Sequence, residues 1–565
     1  MKVLIIGGVA GGASAAARLR RLDEQAEIVV LERSGYVSYA NCGLPYYVGG
    51  VITDKEALTL QTPESFRRRF RIDVRVGHEA TAIHPERKSV TVRSIADGTE
   101  YEETYDKLIL SPGARAVRPD LPGIDDGRIM TLRTVEDTFR IREYVERCRP
   151  RHATVVGGGF IGLEMAENLM EAGVPTTLLQ RSAQVLPPLD YDMACQVHSY
   201  LRTRGLDLRL NTPIAGYEDA GDCLRVVLKE KPPLKTDLVL LAIGVEPDTK
   251  LARDAGLELG RKGSIVVNEY METSLPDIYA VGDAVQVRHL VSGRPALISL
   301  AGPANKQGRI AADRICGREG RYRGSQGSSV IKLFGMTAAS TGLNEKSAQA
   351  AGIPYEKVVN FSTDHAGYYP GAANLTLKTL FDPESGRILG AQIVGFGGVD
   401  KRIDVLAAAV REGLNAADLS ELELAYAPPY SSARDPVNVA GFTIENLRSG
   451  LVRQFHWDQV DTLCRDGGAT LIDVRTPGEF RSGHIPGAVN IPLDDLRERL
   501  GELDRDKKIY VNCHSGLRSY LACRILTGSG FACAHLSGGY RFYSYVMSDR
   551  RCDEGAAHPC GIPLK

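Results

Sequence analysis

The chain has 565 residues, more than one hydrophobic core usually serves, so several domains are expected. Its 69 Lys and Arg against 70 Asp and Glu leave a net charge of -1, which excludes a broad nucleic-acid footprint and a polybasic membrane face. A hydrophobic fraction of 43% with 59 glycines suits an α/β protein rich in tight strand-to-helix turns, and no apolar run approaches the roughly 20 residues that span a bilayer. The first residues, "MKVLIIGG", form a short strand entering a glycine turn. They lack the long apolar region and cleavage site of a secretory leader, so a cytoplasmic protein is expected. Residues 13–22, "ASAAARLRRL", read as an Ala-rich helix whose basic end suits the helix dipole, and "AEIVVLER" is the next buried strand. In this first turn Gly7 and Gly12 hold the outer positions of a G-x-G-x-x-G pattern, while Val9 stands at the middle one. Glu32, at the end of the second strand, is placed to accept a ribose hydroxyl.

Ten residues on comes "SYANCGLP", a Gly/Pro-bounded loop holding one cysteine, Cys42, with no second cysteine near it in sequence. Residues 105–114, "YDKLILSPGA", form a strand closing into a turn. The βαβ opening then recurs at 153–181, here with the full Gly157-x-Gly159-x-x-Gly162 spacing, whose glycines permit a tight turn and the approach of a pyrophosphate to a helix N-terminus. Gln180, followed by Arg181 and Ser182, stands where an acid would grip a 2′-hydroxyl. "TDLVLLAIGVEPDT" repeats the strand-and-turn shape, and "LPDIYAVGDAV" ends a strand at Asp283, a second candidate for a polyol.

Past residue 326 the strands "SSVIKLFG", "NLTLKTLFD" and "RILGAQIVG" and a helix at 400–412 point to an α+β domain with an antiparallel sheet. Residues 441–455 read as a linker. From Trp457 three short strands, "ATLIDVR", "KKIYVNC" and "CAHLSGG", open a further α/β module. Within it Cys513 ends a strand and starts a loop that Arg518 closes, with a helix beyond, so backbone N–H groups and the helix dipole favour a thiolate or persulfide there. The eleven cysteines have no framework spacing and read as reduced thiols. Cys148, Cys195, Cys223, Cys316 and Cys464 read as packing or surface residues. Cys523, Cys533, Cys552 and Cys560 fit no zinc spacing, and no metal site is expected.

Together the two dinucleotide folds, "LSPGA", "AIGVEPDT" and "IYAVGDA" resemble the two-dinucleotide flavoprotein disulfide reductases over about residues 1–445. Within that family "GGVAGGASAAARLRRLDE", "SYANCGLP", "HAGYYPGA" and "AYAPPYSSARDP" are similar to coenzyme A-disulfide and coenzyme A-persulfide reductases, a branch that also carries Val9 in its glycine turn. The resemblance implies two Rossmann-like dinucleotide-binding domains, FAD on 1–110 with 245–325 and NADH and/or NADPH on 111–244. It further implies an α+β dimerisation domain at 326–445 of a homodimer, then a linker at 446–456. FAD would meet Gly7, Gly12, Glu32, Arg33, Ser111, Gly113, Asp283 and Ala301. The nicotinamide cofactor would meet Gly157, Gly159, Phe160, Ile161, Gly162, Glu164, Gln180, Arg181 and Gly244. Coenzyme A would lie against Ser14, Arg18, Arg21, Ser38, Asn41 and Arg434, although by spacing alone Arg18 and Arg21 read equally as a solvated basic face. Relatives of this family with two active-site cysteines use Cys-x4-Cys, so the lone Cys42 must pair with an external partner, coenzyme A or a sulfane sulfur. Tyr368 and Tyr426 match tyrosines that reach the flavin from the dimerisation domain and could protonate a leaving thiolate. Without the resemblance both would read as packing or turn residues.

Residues 457–565 carry "DVRTPGEFRSGHIPGAVNIP" and "VNCHSGLRS" and resemble a rhodanese domain, with a sulfur-sized loop of Cys513, His514, Ser515, Gly516, Leu517 and Arg518 and with Asp473 and Arg475 in structural positions. The expected activity is NAD(P)H-dependent reduction of coenzyme A persulfide, polysulfide or coenzyme A disulfide through Cys42, with sulfane-sulfur transfer at Cys513. Two other readings stay open: an NADH oxidase or peroxidase cycling through a cysteine sulfenic acid, and a non-catalytic flavin redox sensor.

Overall fold

The computed structural model describes residues 1–465 and 469–553. Cys560, and the side chain of Cys464, lie outside the described residues. The chain divides into two compact units, one of residues 1–185 with 206–327 and the other of 186–205 with 328–565.

The first unit repeats one design. Its first sheet runs Ile278–Ala280, Lys107–Leu110, Lys2–Ile6, Glu27–Glu32, Asp73–Val76, every pair parallel. Val3 and Ile5 of the central strand pack on one face with Ala15, Ala16, Leu19, Ala311 and Ala312. Leu4 and Ile6 pack on the other with Val29, Leu31 and Val90. Both faces are covered, which is why these strands are continuous apolar runs with no alternation. The alanines let the helices Ala10–Leu22 and Ala301–Ile315 share one core. The second sheet, Asp207–Arg209, Thr176–Leu179, Ala153–Val156, Leu238–Leu241, Ile129–Thr131, is again wholly parallel. Each parallel sheet has its own three-stranded antiparallel sheet in the same half of the sequence, His78–His84 to Glu100–Thr104 and Ile214–Asp219 to Lys231–Thr236. The two glycine turns therefore sit at matching places, each between the middle strand of a parallel sheet and the helix that follows.

The second unit carries a five-stranded antiparallel sheet, Ser329–Leu333, Met336–Gly342, Ile388–Gly395, Asn374–Phe381, Glu356–Thr363. It also carries a five-stranded parallel sheet, Gln454–Phe455, Cys533–Leu536, Lys508–Asn512, Ala469–Asp473, Val489–Asn490. Here the expected linker is corrected. Residues 441–448 are the second half of the helix Pro436–Arg448, with Gly441 and Ile444 buried, and Gln454–Phe455 is an edge strand paired with Cys533–Leu536. Ser449 and Gly450 follow only at the helix end.

Leu186–Gly205 interrupts the sequence of the second parallel sheet yet belongs to the second unit. Its helix, Tyr191–Thr203, is tied to the C-terminal helix Gly539–Asp553 through one residue. The Asp549 carboxylate lies 3.1 Å from His198 Nδ1, 2.6 Å from Arg202 Nη1 and 3.1 Å from the Tyr191 hydroxyl. The bonds and charges of His198 and Arg202 hold its carboxyl at about 2 despite burial. The same segment supplies Asp190 and Asp192 to Lys378, a fully buried lysine 2.9 and 2.8 Å from them that also meets Glu345 at 2.5 Å. These carboxylates surround a cation already present, which is what makes so buried a set tolerable.

Candidate active site

The first glycine turn is built by exclusion. A Cβ on Gly7 would stand 2.0 Å from the Ser111 carbonyl oxygen, and one on Gly12 would stand 1.9 Å from that of Gly7. Val9 is tolerated because it is only the cap residue before the helix Ala10–Leu22. Glu32, 8% exposed, accepts from the Gly8 and Ser34 N–H groups, both at 2.9 Å, and burial raises its carboxyl above the usual range. Ser111 Oγ accepts from Gly12 N–H at 3.1 Å. Arg33 pairs with Asp248 at 2.8 Å, Asp283 pairs with Arg133 at 2.7 Å, and Ala301 is the exposed first residue of its helix. Gly113 lies at the next turn, within 3.5 Å of the Arg133 guanidinium were it to carry a Cβ.

The second turn copies the first. Gly162 is confined by the Gly157 carbonyl at 1.9 Å and Gly157 by that of Ala242 at 2.3 Å. Gln180 Oε1 accepts from Gly158 N–H at 3.0 Å, the same bond that Glu32 makes to Gly8. Its Nε2 donates to Ser182 Oγ and the Gln184 carbonyl, which turns the amide inward. Arg181 is exposed beside it. Gly159 differs from the other glycines of the motif, because an added Cβ there would meet no protein atom within 4 Å. Its glycine keeps open space at the start of the helix Phe160–Glu171, which fits a pyrophosphate and the helix N-terminus. Phe160 and Ile161 open that helix, and Gly244 turns the chain beyond the neighbouring strand. Both glycine turns thus fit the pyrophosphate of a dinucleotide.

Cys42 sits in the one-turn helix Asn41–Gly43, just before the short helix Leu44–Val48. It is an exposed free thiol. Enough of its surroundings are protein that burial raises its pKa, helped by Glu164 and then Asp283, while Arg133 opposes. Glu164 is itself pushed up to about 7 by burial and by Glu167, and the Tyr46 hydroxyl donates to it. The residue expected to meet the nicotinamide cofactor thus lies in the field of the thiol, and Arg133, which the sequence reading missed, is the cation of this group.

Near the same loop lies a cavity of about 350 Å³ lined by Ser14, Arg18, Arg21 and Ser38, with Gln61 and Arg309. Ser14 donates to Asn305 Oδ1 at 2.8 Å, and Asp313 fixes Arg18 at 2.7 Å. Four residues expected to touch coenzyme A therefore share one cavity. Asn41 is not among its lining residues, and Arg434 is an exposed residue of the second unit. Gln61, Asn305 and Arg309 carried no signal of their own, because only the fold brings them to Ser14 and Arg18. In the second unit the hydroxyls of Tyr368 and Tyr426 are 2.7 Å apart. Tyr368 is 76% exposed, unusual for a tyrosine whose ring only packs, and its bond to Tyr426 raises its pKa.

Cys513 follows the strand Lys508–Asn512 and is 1% exposed. Gly516 N–H donates to its Sγ at 3.1 Å, and Ser519 Oγ lies 3.4 Å away. His514 and Ser515 complete the turn, and Leu517, 68% exposed, begins the helix Leu517–Gly528. Burial, then Arg541, lowers the His514 pKa. Arg518 is locked to Glu479 by two bonds of 2.8 and 2.7 Å, which hold that carboxyl at about 2. Glu479 was missed, although "TPGE" is a capping-box pattern and Glu479 does accept the Thr476 N–H. Asp473 and Arg475 form a buried ion pair at 2.6 Å.

Three domain families match the chain: pyridine nucleotide-disulphide oxidoreductase over residues 1–308, the dimerisation domain of that family over 328–437, and a rhodanese-like domain over 456–544. Coenzyme A disulfide reductase of Staphylococcus haemolyticus is 37% identical over 79% of this chain and 100% of its own length. Among solved structures, reduced CoADR-RHD of Bacillus anthracis is 48% identical with a TM-score of 0.95, covering 97% of this chain and 98% of that one. A NAD-dependent persulfide reductase from A. fulgidus is 38% identical with a TM-score of 0.90, covering 96% of this chain and 100% of that one.

Proposed function

Because the chain belongs to the pyridine nucleotide-disulphide oxidoreductase family, we propose that it reduces coenzyme A persulfide, polysulfide and coenzyme A disulfide at Cys42 and transfers sulfane sulfur at Cys513. One observation carries the reading: a lone exposed thiol follows a loop whose Ser38 lines a cavity with three arginines. Arginines suit the phosphates of a nucleotide-bearing thiol, and a lone thiol needs a partner from outside. On this reading residues 1–110 with 245–325 hold FAD, 111–244 hold NAD(P)H, and 326–445 form the dimer contact. A homodimer working in the cytoplasm, where its many thiols stay reduced, completes the reading.

Bound FAD and NAD(P)H supply the electron pair. The protein's part is to place the sulfur. Arg21 and Arg309 bind the anionic end of coenzyme A, and Ser38 and Asn41 guide its pantetheine arm to Cys42. The Cys42 thiolate attacks the outer sulfur of a persulfide, or one sulfur of the disulfide, and the coenzyme A thiolate leaves. The Tyr368–Tyr426 pair of a second subunit gives that thiolate its proton. Glu164, poised near 7, takes up or returns the proton of Cys42 through the neighbouring Tyr46.

Anaerobic rapid mixing of the reduced holoenzyme tests the reading. Coenzyme A persulfide, polysulfide and coenzyme A disulfide should reoxidise it within the turnover time, and peroxide and oxygen should be slower by about a hundredfold or more. Faster reoxidation by peroxide would instead establish a sulfenic-acid cycle. Nicotinamide choice follows from the inward Gln180 and the exposed Arg181, which leave no carboxylate to repel a 2′-phosphate. NADPH should be accepted alongside NADH, and Arg181→Glu should lower kcat/KM for NADPH about tenfold with little change for NADH. A wild-type kcat/KM for NADH about a thousandfold above that for NADPH would sink this assignment.

A further inference from the structure

The sulfur-transfer loop is surrounded by guanidinium groups, but two of them are already spent. Arg518 is bound at both ends of its fork by Glu479, and Arg475 by Asp473. An ion pair this close has little net charge to offer a distant anion. Arg541 differs. It makes no ion pair among the described residues. Its backbone N–H donates to the His514 carbonyl at 2.9 Å, next to Tyr540 N–H, which donates to that of Cys513 at 2.7 Å. The residue is therefore pinned to the loop it adjoins, and it is the strongest charge acting on His514.

Its guanidinium lies 5.1 Å from the ring centre of Phe361. Phe361 belongs to the strand Glu356–Thr363 of the antiparallel sheet, outside the sulfur-transfer fold. That strand is held against the loop region by other contacts, with Val359 N–H donating to Ser537 Oγ at 3.2 Å and Phe361 edge-on to Phe542 at 6.4 Å. A guanidinium stacked on an aromatic face keeps its charge and its in-plane N–H groups for a further ligand.

We propose that Arg541, braced on Phe361, binds the anionic carrier group of the sulfane-sulfur donor that Cys513 opens, so that the antiparallel sheet completes the sulfur-transfer site. The inference rests on the reading of Cys513 as a sulfur acceptor. With thiosulfate, the Cys513 thiolate forms a bond to the outer sulfur, the S–S bond of the donor breaks, and sulfite leaves with the electron pair. With glutathione persulfide the outer sulfur is transferred in the same way and the glutathione thiolate leaves. In both, the negative group away from the reacting sulfur, a sulfonate or a carboxylate, is the part that Arg541 recognises.

The test uses the full-length holoenzyme and sulfur transfer to cyanide from three donors: thiosulfate, glutathione persulfide and the persulfide of 2-mercaptoethanol, whose carrier is neutral. Arg541→Gln should raise KM for one or both anionic donors about tenfold, the loss of one charge-assisted contact, and leave kcat and KM for the neutral donor unchanged. A rise for thiosulfate alone identifies the sulfonate as the recognised group, and a rise for glutathione persulfide alone identifies the carboxylate. Arg541→Lys should recover part of the loss, and Phe361→Leu, which keeps bulk without the aromatic face, should raise the same KM values about threefold. No donor-selective change in Arg541→Gln, or an equal loss with all three donors, overturns the proposal. If Cys513→Ser still transfers sulfur, it is the underlying assignment of Cys513 that fails, whatever Arg541 does.

Discussion

Cys42→Ser is expected to lower reduction of every sulfur substrate by about a thousandfold or more while leaving FAD binding and stability in place. A thousandfold is about 4 kcal/mol of barrier, within what loss of the one nucleophile removes. A serine hydroxyl does not ionise near neutral pH and cannot form the sulfur adduct. The substitution changes one atom of an exposed side chain that stands outside both glycine turns, so the stability change should stay within about 0.5 kcal/mol. Turnover and the long-wavelength thiolate-to-flavin absorption of the holoenzyme measure the outcome, and both should vanish together. Because burial, Glu164 and Asp283 raise the thiol's pKa, alkylation of the FAD-free protein should stay slow near neutrality and accelerate as pH rises into the alkaline range. Substantial persulfide reduction by the serine variant would end the central role of Cys42.

The second large effect is expected at Cys513. Cys513→Ser should abolish transfer from thiosulfate to cyanide, by about a thousandfold or more, yet spare reduction of pre-formed coenzyme A persulfide. The two thiols belong to different compact units, Cys42 in the one-turn helix Asn41–Gly43 and Cys513 just after the strand Lys508–Asn512, so each half-reaction is expected to run alone. The fusion is expected to supply effective concentration, because one chain tethers the sulfur opened at Cys513 to the reductase. Reduction driven by thiosulfate should therefore collapse in this variant, with the pantetheine arm no longer receiving sulfur. Equal rates with thiosulfate in variant and wild type would mean that the sulfurtransferase does not feed the reductase.

What could be read from the sequence was local. Gly7, Gly12, Gly157 and Gly162 stand in a fixed spacing because backbone carbonyls 1.9–2.3 Å from any Cβ forbid another residue. The strand-to-loop position of Cys513 follows equally from its neighbours in sequence. What escaped was tertiary. Lys378, in the strand "NLTLKTLF", is wholly buried because three carboxylates from distant segments meet it. Gln61 and Arg309 join the cavity only once the first fold closes. Residues 441–455 read as a linker, yet Gly441 and Ile444 are buried on the helix Pro436–Arg448, a packing that only the tertiary fold reveals. Leu186–Gly205 reads as part of a nucleotide fold by order alone, and nothing local announces its membership of another unit.

That segment has a consequence for how the chain is made. The helix Tyr191–Thr203 leaves the ribosome with Cys195, His198 and Arg202 on a face that the mature protein buries. Its counter-ion, Asp549, is encoded 347 residues later than Arg202. At about 5–20 residues per second, roughly 17–70 s of synthesis separate the two. Throughout that interval the nascent helix must stay soluble with two basic side chains still lacking their carboxylate, so chaperone occupancy on ribosome-bound chains should persist across this stretch until the last helix emerges.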